Sequence, residues 1–90
     1  MNLNELHIKL RELGISEDRY YLHGLYGSTN DDNKLSLIIK KGMHTTEYEV
    51  YFKERGEKHS VRLFATEDDA CQYIYKRLKE NKKLEEKYSR

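Results

Sequence analysis

The stretch Thr45-Thr46-Glu47-Tyr48-Glu49-Val50-Tyr51-Phe52-Lys53 decides the fold class. Tyr48, Val50 and Phe52 fall on one side of it, and Glu47, Glu49 and Tyr51 on the other. Side chains of an extended chain alternate between faces, so this is a strand with one apolar face and one mixed face. Just upstream, Gly42-Met43-His44 interrupts the alternation, and Lys34 to Lys41 carries it again with Leu35, Leu37 and Ile39 opposite Ser36, Ile38 and Lys40. Downstream, the polar connection Glu54-Arg55-Gly56-Glu57 leads into Lys58 to Ala65, where Val61 and Leu63 alternate with Ser60, Arg62 and Phe64. Further upstream, Tyr20, Leu22, Gly24 and Tyr26 alternate with Tyr21, His23 and Leu25. The cluster Ser28-Thr29-Asn30-Asp31-Asp32-Asn33 that follows has turn composition. That run and Lys34 to Lys41 are expected to form a hairpin, which gives four strands in all.

The strands are flanked by helical spacing. Leu3, Leu6, Leu10 and Leu13 recur three and four apart; Asn2 and Glu5 suit a capping box, and Gly14 a left-handed stop with Ile15 folding back as its apolar contact. Thr66 opens a second helix, with Glu67, Asp68 and Asp69 matching the positive end of its dipole and Ala70, Ile74 and Leu78 stacked on one face beside Cys71. Residues 79–90 are mostly charged and read either as a projecting helical extension or as a frayed tail. The sequence therefore predicts one α+β domain over residues 1–90. It is a four-stranded antiparallel sheet with an N-terminal and a C-terminal helix packed on one face, in the order α-β-β-β-β-α. Tyr20, Leu22, Leu35, Leu37, Ile39, Tyr48, Val50, Phe52, Val61 and Leu63 are expected beneath the helices. Tyr21, His23, Leu25, Ile38, Glu47, Glu49, Tyr51, Arg62 and Phe64 are expected toward solvent.

Composition narrows the function. Ninety residues hold 37% hydrophobic and 37% charged side chains, so the apolar groups must be concentrated on a few inner faces and a deep pocket is not expected. Seventeen Lys+Arg against 16 Asp+Glu leave a net charge of +1, without the basic excess of a nucleic-acid binder. The single cysteine excludes an intrachain disulfide and a Cys-rich zinc site. No apolar run resembles a signal peptide or a membrane span, so the expected location is cytoplasmic.

Chemistry is sparse. His7, His23, His44 and His59 include no close ligand pair, so no metal and no cofactor is expected. Cys71 on an apolar helix face reads as a buried thiol. Asp31-Asp32 and Glu67-Asp68-Asp69 have local explanations as turn and helix-start chemistry. Gly24-Leu25-Tyr26-Gly27 has a GxxG outline but lies at a strand end without basic neighbours. The order helix, strands, helix is also that of a double-stranded RNA-binding domain, yet Glu67-Asp68-Asp69-Ala70 at the last helix would repel phosphate. An enzyme is not expected.

Tyrosine stands out, supplying eight of the ten aromatic residues. Its ring buries a large apolar body while keeping a wet edge, which suits protein interfaces; it is also simply a good strand former. On the interface reading, Tyr21, His23, Asp31, Asp32, Glu47, Glu49, Tyr51, Glu54 and Arg62 form the candidate partner-binding set. Tyr51→Ala is then expected to leave folding nearly intact while Val50→Ala lowers stability. The alternative is a small regulatory or nucleic-acid-binding module using Lys76, Arg77, Lys79, Lys82, Lys83 and Lys87, although Glu80, Glu85 and Glu86 intersperse that cluster as on a solvated helix.

Glu54-Arg55-Gly56-Glu57-Lys58, Phe64 and Thr66-Glu67-Asp68-Asp69-Ala70-Cys71-Gln72-Tyr73-Ile74, preceded by Tyr20-Tyr21-Leu22-His23-Gly24 and Leu37-Ile38-Ile39-Lys40-Lys41, resemble small immunity proteins of bacterial polymorphic toxin systems. The similarity runs from about Leu13 to Leu78. It implies a non-enzymatic inhibitor that binds the C-terminal domain of a cognate toxin, often a nuclease, and occludes its active site. No membrane or nucleic-acid partner and no cofactor is implied; the oligomeric state is left open.

Overall fold

The computed structural model describes residues 1–88, apart from the side chains of 85–88. Helix α1 spans Leu3–Glu12. Asn2 Oδ1 accepts from the Glu5 N–H at 2.8 Å and the Asn2 N–H donates to Glu5 Oε1 at 3.4 Å, closing the capping box expected from the sequence. Gly14 at φ 78° stops the helix: its N–H donates to the Arg11 carbonyl and that of Ile15 to the Leu10 carbonyl, which satisfies two terminal acceptors. A short 3₁₀ turn, Glu17–Arg19, leads into β1, Tyr20–Leu22. Strands β2 (Tyr26–Gly27), β3 (Leu35–Lys41), β4 (Thr46–Glu54) and β5 (Glu57–Phe64) follow. Helix α2, Glu67–Tyr88, begins where Thr66 Oγ1 accepts from the Asp69 N–H at 3.1 Å. Of the two readings of residues 79–90, the chain is helical through Tyr88; Ser89 and Arg90 lie outside the described residues.

The α+β class and both helices stand as expected, but the sheet has five strands and is mixed, in the order β2-β1-β3-β4-β5. The expected hairpin between the first two long runs does not form. The chain reverses early, at His23-Gly24, both at positive φ, and returns as the short β2 antiparallel to β1. Residues 28–34 then carry it across β1, so that β1 and β3 pair in parallel with Tyr20 beside Leu35 and Leu22 beside Leu37. Gly27 is required at that edge, because a Cβ there would meet the Tyr20 carbonyl oxygen at 2.5 Å.

A second correction concerns β5. The pairing Val50 with Arg62 and Tyr48 with Phe64 puts Arg62 and Phe64 on the helix side, and Glu49 with Leu63 puts Leu63 on the open side. The cause is an irregularity between Phe52–His59 and Val50–Arg62, where Ser60 sits at φ 54°. One extra residue reverses the phase of every side chain that follows.

The core lies between the helices and the sheet. Leu6 and Leu10 of α1, Ala70, Cys71 and Ile74 of α2, and Tyr20, Leu22, Leu37 and Val50 of the sheet are all fully buried. Full burial of one such aliphatic side chain stabilises by about 1.5 to 3 kcal/mol. His7 ties α1 to the sheet: its ring stacks on Tyr26 at 5.0 Å and its Nδ1 lies 2.9 Å from the Tyr20 hydroxyl.

Candidate functional site

The opposite face of the sheet carries no helix, and most of the candidate partner-binding residues belong there. β4 sets the pattern, because its alternation turns Glu47, Glu49, Tyr51 and Lys53 away from α2. Residues 28–34 cross this face and are tied down by hydrogen bonds within the segment and to β4. Ser28 Oγ accepts from the Asn30 N–H and Asn30 Oδ1 from the Asp32 N–H, while the Asn33 N–H donates to the Lys53 carbonyl at 2.8 Å. Lys34 Nζ staples the loop by donating to Ser28 Oγ and Asn30 Oδ1.

This loop delivers Asp31 onto Tyr51. The Tyr51 hydroxyl donates to Asp31 Oδ2 at 2.6 Å, and Lys53 Nζ donates to Oδ1 at 3.3 Å. Tyr51 is 2% exposed. Burial and the adjacent carboxylate push its phenol well above the ordinary range, whereas the Tyr51 hydrogen bond, with Lys53, holds the Asp31 carboxyl below its own.

One turn of the pleat away, Glu49 is 3% exposed. Lys58 Nζ donates to its Oε1 at 3.1 Å. Lys40 Nζ lies 2.6 Å from Oε2 as an ion contact not aligned as a hydrogen bond. Burial raises the Glu49 carboxyl, and the two ammonium groups together outweigh that and leave it below the ordinary range. Lys58 also sits 4.5 Å from the centre of the Tyr51 ring. The result is a row of three lysines, Lys40, Lys53 and Lys58, whose ammonium groups are held on Glu49 and Asp31.

These contacts limit the chemistry available. The Tyr51 proton is committed to Asp31, and both carboxylates are matched by lysines, so neither is poised as a general base. Cys71 lies in the core, and burial pushes its thiol up to about 12, far from a reactive thiolate. Among the described residues, no three His, Cys, Asp or Glu side chains come together as a metal ion would require. Among the same residues, no helix is long and apolar enough to cross a membrane.

The structure scatters the candidate set. Tyr21, Glu47 and Asp32 are at least partly exposed, with Asp32 3.8 Å from Lys53. His23 is a turn residue whose Nδ1 accepts from the Ile39 N–H at 3.0 Å. Glu49 and Tyr51 are buried and Asp31 is half-buried against Tyr51, so Glu49 and Tyr51 are not the solvent-side contacts expected of them. Arg62 lies on the helix side with its guanidinium 5.4 Å from the Tyr73 ring, and Glu54 follows Phe52 in the same register. Sequence reasoning missed Val61 and Leu63, 48% and 58% exposed, on the open side of β5 beside Lys58. A bulge at Ser60 was the missing signal. Comparison with protein-family models, with curated proteins and with solved structures gives no match.

Proposed function

We propose that the chain is a protein-binding inhibitor, an immunity protein that neutralises a cognate toxin domain by occluding its active site. The observation that carries the reading is the exposed pair Val61 and Leu63, set beside lysines already fixed on Glu49, on a sheet face that no helix covers. Apolar anchors bordered by charges held in place lose little side-chain freedom on docking, which suits tight stoichiometric binding. The resemblance to immunity proteins supplies the class of partner. Of the candidate contacts, Glu47 remains available two residues from Glu49, the partner of Leu63, and Asp31, Glu49 and Tyr51 serve by holding the lysines and the loop.

The test is capture of partners from native cells on the tagged protein, washed at about 0.5 M salt, where long-range charge attraction is screened. The expected result is recovery of the C-terminal domain of a larger secreted protein, lost when Leu63 is changed to Ser. Retention of nucleic acid alone would replace this reading with the nucleic-acid-binding one.

A further inference from the structure

The sheet ends differently at its two edges. β2 closes one edge with two residues, whereas β5 leaves the other open over Glu57–Phe64, every residue of which except Phe64 is exposed. The outward N–H and C=O groups of a long bare edge strand are a template for another strand. Charge and backbone guard the first half of β5: Lys58 and His59 stand there, and Ser60 at φ 54° breaks the regular run. Past Ser60 the pairing with β4 is regular again from Arg62 to Phe64, and Arg62 is the one charge between the exposed Val61 and Leu63. The second half of the edge is therefore the half to which a strand can add.

Symmetry limits how a second copy could do so. In an antiparallel pair about a two-fold axis, residues that face each other share one side of the sheet, so the axis passes through a residue and four centres have to be weighed. An axis through Val61 runs the pair back over Ser60, where the strand is broken. One through Arg62 opposes two guanidiniums. One through Phe64 needs Thr66, which lies in the bend leading to α2. An axis through Leu63 sets Leu63 against Leu63 and Val61 against Ala65 on the open side, and Arg62 against Phe64 on the helix side. That guanidinium then reaches an aromatic pair, because the Phe64 ring lies 5.4 Å from that of Tyr73. This register opposes no like charges. It also aligns charges beyond the paired run, because Lys58 and His59 of one copy lie alongside the start of α2 in the other. Glu67 and Asp68 there are engaged by the Leu3 N–H and the N-terminal ammonium, and Asp69 is exposed beside them.

We propose that a second copy of the chain pairs along β5 about Leu63, joining two five-stranded sheets into one. Main-chain hydrogen bonds and the apolar centre hold the pair, and the basic first half of β5 against the acidic start of α2 sets its register. About five residues a side bury less than the roughly 800 Å² per partner of a standard interface, so the dimer forms between about 10 μM and about 1 mM and more dilute protein is monomeric. Edge pairing leaves both faces of the sheet as they are. The proposal goes beyond the inhibitor reading and does not depend on it.

The experiment is sedimentation equilibrium of the intact protein across that concentration range, with amide chemical shifts recorded over the same series. The expected result is a rise from 10.8 kDa toward twice that mass, with concentration-dependent shifts centred on Val61 to Ala65. His59→Glu and Asp69→Lys, both on exposed side chains, should each weaken dimerisation about fivefold or more, and the double variant should recover it, because the swapped charges face each other across the axis. Leu63→Asp, which sets two carboxylates together at the axis, should abolish the dimer while far-UV circular dichroism stays that of wild type. A chain that remains monomeric up to about 1 mM overturns the proposal. So does a dimer whose shifts lie away from β5, or one that the charge swap fails to restore.

Discussion

On the helix side of the sheet, Leu37 and Val50 lie at 0% exposure beneath α1 and α2; on the open side, their chain neighbours Ser36 and Tyr51 lie at 0% and 2% with no helix above them. The first pair is buried by aliphatic and aromatic side chains. The second is tied to a seven-residue crossing, 28–34, through the Asp31 and Lys34 carbonyls and the Asp31 carboxylate, with the Lys58 ammonium over the Tyr51 ring. The helix side is stabilised by apolar area removed from water, and the open side by hydrogen bonds and ion pairs that must all be present to offset the desolvation of Asp31 and Glu49. A sheet face without a covering element is thus not a solvent face, and its polar residues are structural before they are contacts.

The largest test of that comparison reverses the simplest sequence reading. Tyr51→Ala is expected to cost about 3 to 4 kcal/mol, more than Val50→Ala at about 1 to 3 kcal/mol, by urea denaturation. A Tyr51→Ala protein as stable as wild type would return the open face to solvent. Next, Tyr51→Phe keeps the ring and removes the hydroxyl from Asp31, for an expected loss of about 1 to 2 kcal/mol. A double-mutant cycle with Asp31→Asn should show the two changes to be non-additive.

The acid response is smaller and more specific. Asp31 and Glu49 are both held below their ordinary carboxylate values, so the stability they contribute is complete above the unfolded-state range. It falls as pH drops through that range toward the folded-state values. The urea midpoint should decline between about pH 5 and about pH 3, and Glu49→Gln should decline less across the same interval while starting about 1 kcal/mol lower, because both lysines can turn into water. The smallest effect on stability is expected at Leu63→Ser, within about 0.5 kcal/mol, with loss of partner capture as its only clear consequence.

The sequence made the helix ends legible because each was written in short-range chemistry: Asn2 with Glu5, Gly14 with Ile15, and Thr66 before three acids. β3 and β4 were legible because their alternation is unbroken. Two failures came from single backbone conformations. His23 adopts φ 53° without being glycine, which moved the first reversal ahead of the obvious turn cluster and freed residues 28–33 to cross the sheet. Ser60, likewise at positive φ, changed the phase of β5 and exchanged Val61 and Leu63 with Arg62 and Phe64. The candidate site suffered most from this exchange. Nor does any local pattern reveal that Asp31 reaches Tyr51, a contact 20 residues apart made only once β3 and β4 are paired.

The parallel pairing of β1 with β3 also sets an order in time. β3, β4 and β5 are joined by short reversals and can zip together from local contacts, while β1 must wait for a pre-existing β3 edge and for the 28–34 crossing to close behind it. The meander is then expected to act as the nucleus, and α1, β1 and β2 as the half that docks last and opens first. Native-state hydrogen exchange is expected to release the amides of β1 and β2 ahead of those of β3 and β4, as one sub-global opening.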